Sequence, residues 1–195
     1  MYRIAKKKTL NSTVTQMDIE APYVAAKAQA GQFIILRVHK DGERIPLTIA
    51  GYDRTAGTVR IIFQVVGATT MLLNAKNEGE YIEDFVGPLG NATDLGGVKK
   101  ALVLGGGVGS AIALPIAQAL KKKGCAVTSV VGFRNKDLVV LKEDFQEASE
   151  RFILMTDDGS AGRKGLVTEP LREILEKEKD IDKTVSYTHL RAHET

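Results

Sequence analysis

The chain has 195 residues, of which 44% are hydrophobic and 26% charged, with a formal net charge of +3. That length holds one large domain or two of roughly 100 residues each, and the balance excludes a disordered chain and argues against a nucleic-acid binder. No apolar run approaches the ~20 residues of a membrane-spanning helix, and Lys6, Lys7 and Lys8 stand where a signal peptide would carry its apolar core, so a cytoplasmic protein free of the membrane is expected.

The first hundred residues read as short strands punctuated by turns: Tyr2 to Leu10, Thr13 to Ile19, Phe33 to His39, Pro46 to Tyr52, Thr58 to Val66 and Tyr81 to Val86. Asp41-Gly42 and Ala56-Gly57 mark hairpin turns. Alternation is plainest from Thr58 to Val65, where β-branched and aromatic residues are dense, and one helix-like segment, Thr69 to Lys76, interrupts the series. The pattern predicts a small antiparallel six-stranded β-barrel over residues 1–97.

After Asn91 strands alternate with helices: strand 101–104, helix 110–123, strand 126–131, helix 141–150, strand 152–155, helix 166–178 and a fourth strand beginning at Thr184. This is a doubly wound α/β plan, assigned to residues 98–185. The helix from Ser110 places Ile112, Ile116, Ala119 and Leu120 on one face, with Gly124 as its stop. Residues 186–195 have neither a clean period nor a cap, and are expected to be a tail outside a sheet left incomplete at its C-terminal end. His189 and His193 lie in that tail at i,i+4 spacing with no third ligand beside them, so no metal site is expected there. Cys125, the single cysteine, permits no internal disulfide and reads as a small core residue. The runs Lys6 to Lys8 and Lys121 to Lys123 read as solvated surface, the second closing a helix where cations suit the dipole.

The stretch from Ala101 to Ala113 is the most informative. A short buried strand runs into Gly105, Gly106, Gly107, Val108 and Gly109 and then directly into a helix. Glycine lets the backbone turn sharply and approach a ligand closely, and the helix start offers unpaired N–H groups and a positive dipole end, which suits a pyrophosphate. Four features of the barrel half sit where a flavin site needs them: Gly31-Gln32-Phe33, Arg44 to Thr48, Gly67 to Thr70 and Gly87 to Gly90. Pro46 fixes the start of a strand and Thr48 presents a hydroxyl able to hydrogen-bond the flavin nitrogen that receives hydride. Arg44 offers a guanidinium fork to a phosphate, and the helix after Gly67 offers a second phosphate cradle with Thr69 and Thr70 as donors or caps. Two phosphate cradles suit two dinucleotides.

In these motifs the chain resembles the ferredoxin-NADP reductase-like flavoproteins, in which a flavin-binding barrel precedes a pyridine-nucleotide domain. More narrowly it is similar to the small, alpha subunits of NADH-dependent ferredoxin:NADP oxidoreductases, also called sulfide dehydrogenases, and to dihydroorotate dehydrogenase electron-transfer subunits. The likeness covers about residues 1–185 and includes GFRNKDL at 132–138 and TDDGSAGRKG at 156–165. It implies FAD with Pro46, Leu47 and Thr48 near the isoalloxazine, Thr48 being the catalytic candidate, and with Gly67, Thr69 and Thr70 near the pyrophosphate. Residues 105–109 would hold NAD(P)H, and Asp157 and Asp158 would face it from the loop after the third strand of the second domain. It also implies electron transfer to an iron-sulfur centre, with a larger flavin/iron-sulfur subunit and ferredoxin as partners.

Departures from the family pattern accompany the likeness. Arg44 lies one residue further from the threonine than in the common flavin motif, and Leu47 replaces its tyrosine. The cysteine-rich segment that holds a [2Fe-2S] cluster in such proteins does not occur in these residues, and the chain is expected to be C-terminally truncated. Where an acidic residue would hold a ribose hydroxyl, the chain has Phe133, Arg134, Asn135 and Lys136. Arg134 and Lys136 suit a 2′-phosphate, whereas the resembled subunit is expected to use NAD(H), so the nicotinamide form stays open. An FAD-dependent oxidoreductase subunit is the expected function; a nucleotide-sensing regulatory module without turnover is the alternative.

Overall fold

The computed structural model describes residues 1–187, so His189 and His193 lie outside the described residues. Two compact units divide between Thr93 and Asp94.

The first unit contains β1 (Tyr2–Thr9), β2 (Val14–Glu20), α1 (Pro22–Lys27), β3 (Phe33–Arg37), β4 (Arg44–Asp53), β5 (Thr58–Gln64), α2 (Ala68–Ala75), β6 (Tyr81–Ile82) and β7 (Asp84–Leu89). The antiparallel sheet runs β6-β1-β2-β5-β4-β3-β7. Its two outer members are separated in sequence by Glu83 alone, so one bent segment pairs with β1 at one end and β3 at the other and joins the sheet edges. The barrel is therefore the expected one, with its sixth strand broken into two.

Inside, the core-facing positions of each strand meet. Ile4, Met17, Ile19, Ile34, Leu36, Ile49, Val59, Ile61, Phe63 and Phe85 are all essentially excluded from solvent. Tyr2 lies 5.8 Å from the Phe85 ring, centroid to centroid, linking β1 to β7. A second helix, α1, is an addition to the expected single helix of this half. Pro22 stands in its first turn, where the missing N–H costs nothing, and Val24, Ala25 and Ala28 are buried.

The second unit contains β8 (Lys100–Gly106), α3 (Ser110–Lys122), β9 (Ala126–Phe133), α4 (Lys142–Glu147), β10 (Arg151–Thr156), β11 (Arg163–Lys164), α5 (Thr168–Lys177) and β12 (Lys183–Tyr187). All pairings are parallel, in the order β11-β10-β9-β8-β12. Leu102, Leu104, Val130 and Met155 share one face of the sheet with Ile174 of α5. Gly105 faces the opposite way, against Ser110 of α3, so helices cover both faces and the doubly wound plan holds. Within α3, Ile116 and Leu120 are fully buried, Ile112 and Ala119 only partly, because Ala113, Leu114 and Ala117 widen the buried stripe. Cys125 is buried, its thiol directed at the carbonyl of Val98, and burial pushes its pKa up, as suits a core residue.

The chain winds outward from β8 through β9 to β10, then returns by α5 to β12 on the other side of β8. The switch point lies between β8 and β12, and the crevice at the carboxyl end of such a pair is where open α/β sheets bind ligands.

The strand that joins the barrel edges carries Phe85 fully inside. Phe85→Ala is expected to destabilise this unit by about 3–5 kcal/mol in chemical denaturation, the range for emptying a buried phenylalanine site.

Candidate functional site

In the first unit, β4 is paired on different sides along its length. Residues 44–48 pair with β3, from Arg37↔Arg44 to Phe33↔Thr48, while pairing with β5 runs from Ile49 to Asp53. The first half of β4 thus has an open edge. Strand N–H groups alternate sides, and the Ile49 N–H is bonded to the Gln32 carbonyl on the β3 side, so the Thr48 N–H and the Pro46 carbonyl point to the open edge. Pro46, with no N–H to satisfy, stands at such an edge without cost.

Face follows the same alternation. Ile45 and Leu47 pack against the barrel core, so Leu47 supports the strand from inside rather than presenting itself outward as the flavin motif's tyrosine would. Thr48 lies on the outer face, directly opposite Phe33, which is also in register with Leu89; all three are half-buried. The Thr48 hydroxyl has no hydrogen-bond partner among the described residues. One free hydroxyl beside two apolar side chains is a ledge for a planar, partly polar ring.

The glycine-bearing turns frame this ledge. Gly31 has φ +92°, and a Cβ there would meet the Thr93 hydroxyl. The Gln32 side-chain amide donates to the Gly90 carbonyl at 2.9 Å, tying the turn before β3 to the one after β7. Three of the four flavin-type motifs are therefore brought together by the β3–β4–β7 register.

The phosphate candidates fare differently. Arg44 is exposed and donates to Asp84 at 3.1 Å, and Arg37 approaches the same carboxylate oxygen at 2.8 Å. Arg37 and Asp84 escape a reading of the sequence because only strand register places them beside Arg44. At the α2 start, Gly67 has no side chain with which to cap the N–H groups of Ala68, Thr69 and Thr70, and the first turn carries no acidic residue. The Thr70 hydroxyl accepts from the Val66 and Gly67 N–H groups at 3.1 and 3.0 Å and donates to the Gly67 carbonyl. It is fully engaged in shaping the turn, so the donors it leaves for an anion are backbone N–H groups. The Thr69 hydroxyl donates to Glu43 at 2.9 Å, a carboxylate that no sequence motif places there.

In the second unit, the turn after β8 is open to a ligand. A Cβ on Gly105 would lie 2.9 Å from the Ser110 Cα, so glycine is what lets strand and helix approach this closely. Gly106 ends β8, and Gly107, Val108 and Gly109 form a single 3-10 turn that leads into α3. Gly107 has φ +54° with nothing within 4 Å of the position of an added Cβ, leaving space over the loop. No side chain caps α3 and its first turn has no acid. The Ser110 hydroxyl is fully buried and without a partner. Glycine cradle, uncapped helix start and lone hydroxyl together fit a phosphate group.

The loops after β9 and β10 lie at the same sheet edge and are laced together. Asp157 N–H donates to the Phe133 carbonyl at 3.0 Å, and Lys136 N–H donates to Ser160 Oγ at 2.7 Å. Ser160 in turn donates to Asp158 from its hydroxyl at 2.6 Å and its N–H at 2.9 Å. These two bonds hold the Asp158 carboxyl below the usual aspartate range. Asp158 is thus a loop-building residue, whereas Asp157 and Arg134 are exposed, and Arg134 makes no ion pair among the described residues.

No family model matches the chain. It is 43% identical over 179 residues to the "Dihydroorotate dehydrogenase B (NAD(+)), electron transfer subunit homolog" of Thermotoga maritima, covering 92% of this chain and 63% of that protein. It is 34% identical over 176 residues to the "Dihydroorotate dehydrogenase B (NAD(+)), electron transfer subunit" of a Geobacillus species, covering 87% of this chain and 68% of the relative. Among solved structures, one described as giving "insights into flavin-based electron bifurcation via the NADH-dependent reduced ferredoxin-NADP oxidoreductase structure" matches with TM-score 0.86 and 39% identity, over 95% of this chain and 67% of the other. A ferredoxin NADP+ reductase from Neisseria gonorrhoeae with bound FAD and NADP shares the fold, with TM-score 0.71 and 17% identity, over 95% of this chain and 82% of the other. The chain spans 63% and 62% of the first two curated relatives it matches.

The laced loop gives a direct expectation. A carboxyl with a lowered pKa stabilises the fold in full above about pH 4, and that contribution is lost as pH falls through the lowered value. Ser160→Ala is expected to move Asp158 back up toward the ordinary value and to speed hydrogen exchange at the Lys136 amide, both read by NMR.

Proposed function

Because this chain belongs to the ferredoxin-NADP reductase-like flavoproteins, in the group of dihydroorotate dehydrogenase B electron transfer subunits, we propose that it is a flavin-dependent electron-transfer subunit. In this reading it holds FAD on the first unit and NAD(P)H on the second, and hydride passes between them. FAD, when bound, supplies a centre that takes a hydride as an electron pair and releases electrons singly. The domains are taken as residues 1–97 for flavin and 98–185 for the nicotinamide nucleotide.

The observation that carries the reading is the Thr48 hydroxyl, free of any described partner at the open edge of β4. Thr48 is proposed to hydrogen-bond the flavin at the nitrogen that exchanges hydride, with Pro46 flanking the ring and Leu47 holding the strand from behind. The N–H groups of residues 68–70 are proposed to receive the FAD pyrophosphate, with Gly67 allowing the approach and Thr69 and Thr70 keeping the turn in shape. Arg44 contributes positive charge at the rim, shared with Arg37 and Asp84. Glycines 105, 106, 107 and 109 with Val108 are proposed to cradle the nicotinamide dinucleotide, and Asp157 to face it from the laced loop. No side chain is required to act as acid or base; the residues bind, orient and exclude water.

For the nicotinamide form, the exposed and unpaired Arg134 supports a 2′-phosphate, while the relatives' names carry NAD(+). The nucleotide proposed is therefore NAD(P)H. A larger subunit as electron acceptor is proposed from the relatives' description as electron transfer subunits, and ferredoxin from the bifurcating oxidoreductase. A [2Fe-2S] cluster would have to be held by residues other than these, since Cys125 is the single cysteine and is buried.

Purified protein reconstituted with FAD is expected to be yellow and to bleach on addition of NADH or NADPH. Protein that binds nucleotide yet neither takes up flavin nor bleaches would favour the regulatory module. In stopped-flow measurements, Thr48→Val is expected to slow flavin reduction about five- to tenfold, the equivalent of one lost hydrogen bond of about 1–1.4 kcal/mol, with FAD affinity little changed. Equal reduction rates in the two proteins would remove Thr48 from the chemistry.

A further inference from the structure

Lys7 sits in the middle of a run of three lysines that reads as solvated surface, and the structure separates it from its neighbours. Lys6 and Lys8 are exposed, whereas Lys7 is half-buried. The cause is a bulge: between Ile4 and Lys6 the β1–β2 register shifts, so that Lys7 comes to lie directly opposite Met17. Met17 is fully buried in the barrel core. Directly opposed residues share a face, so Lys7 is turned to the core side of the barrel wall. A lysine there needs acceptors. It finds them on α2, where its Nζ donates to the carbonyls of Asn74 at 2.5 Å and Lys76 at 2.9 Å, at the C-terminal end of the helix.

Two further ties meet at the same end. The Lys7 N–H donates to the Glu78 carboxylate at 2.7 Å, and the Thr15 hydroxyl donates to the Asn74 side-chain oxygen at 2.7 Å. Thr15 shares the face of Met17 and is itself buried. These ties matter because α2 has eight residues, well short of the ~12–15 at which an isolated helix becomes marginally stable, and Leu73 is its one buried residue. Charge and dipole also agree, with an ammonium placed at the negative end.

We infer that Lys7 is a positioning residue for the flavin diphosphate: by clamping the C-terminal carbonyls of α2 it holds the N–H groups at the other end, residues 68–70, in place for the phosphates. The helix is about 12 Å long, so Lys7 acts through it and touches no cofactor. The inference rests on the reading that α2 receives the FAD pyrophosphate.

The test compares affinities of the chain for FAD and for riboflavin, which has no phosphate, by fluorescence titration of wild type, Lys7→Met, Lys7→Arg and Thr70→Val. Lys7→Met is expected to raise the FAD Kd about tenfold and leave the riboflavin Kd unchanged, and Lys7→Arg, which keeps the charge and the donors, to restore FAD binding to within about threefold of wild type. Equal weakening toward both flavins would mean general loosening and overturn the inference. Unchanged FAD affinity in Lys7→Met, with loss in Thr70→Val, would also overturn it while leaving α2 as the diphosphate site. Unchanged FAD affinity in both would remove α2 from flavin binding, and the role of Lys7 with it. Circular dichroism checks the fold, and should Lys7→Met not fold, Thr15→Val cuts the other tie at that end of α2 and is judged by the same ratio.

Discussion

Each unit leaves backbone N–H groups unpaired at a helix that starts directly out of a strand through glycine, and the proposed function depends on those donors. In the first unit the sequence runs β5, Gly67, α2; in the second it runs β8, the glycine turn, α3. The commonest residues at a helix start are those whose side chains would cap such donors. Here both caps are glycine and neither first turn holds an acid. Donors left this way favour an anion, and their direction is fixed by the sheets they leave. Barrel closure through the bent segment at Glu83 fixes the first, and the switch between β8 and β12 fixes the second.

Much of the fold is legible in the sequence because its signals are local. The period-2 pattern of Thr58 to Val65 and the strand-to-helix change at Gly105 each belong to one element, and the structure has them where the pattern puts them. What is illegible depends on how elements meet. Helix α1 is six residues long and gives no full turn-by-turn period, so Pro22 to Lys27 carries little signal of its own. Strand β11 has two residues and exists only through its pairing with β10.

The same division runs through the site. Thr48 and the glycines stand out because motif and spacing name them. Arg37, Asp84 and Glu43 do not, since register alone brings the first two to Arg44 and a side-chain contact brings the third to Thr69. Lys7 is the sharpest case: its neighbours in sequence predict surface, and a one-residue bulge turns it to the core side. Asp158 shows the reverse. It looks like a ligand-facing acid, yet its carboxylate is spent on Ser160, and through Ser160 on the backbone of Lys136.

The most direct measurement of the central claim is an NMR titration of the labelled chain with ADP, the moiety that FAD and NAD(P) share. Amide shifts are expected to concentrate at residues 68–70 and 107–111 and to develop as two separate binding events. Shifts confined to other parts of the chain, with these amides unmoved at saturation, would contradict the claim that the two glycine-led helix starts are the anion sites.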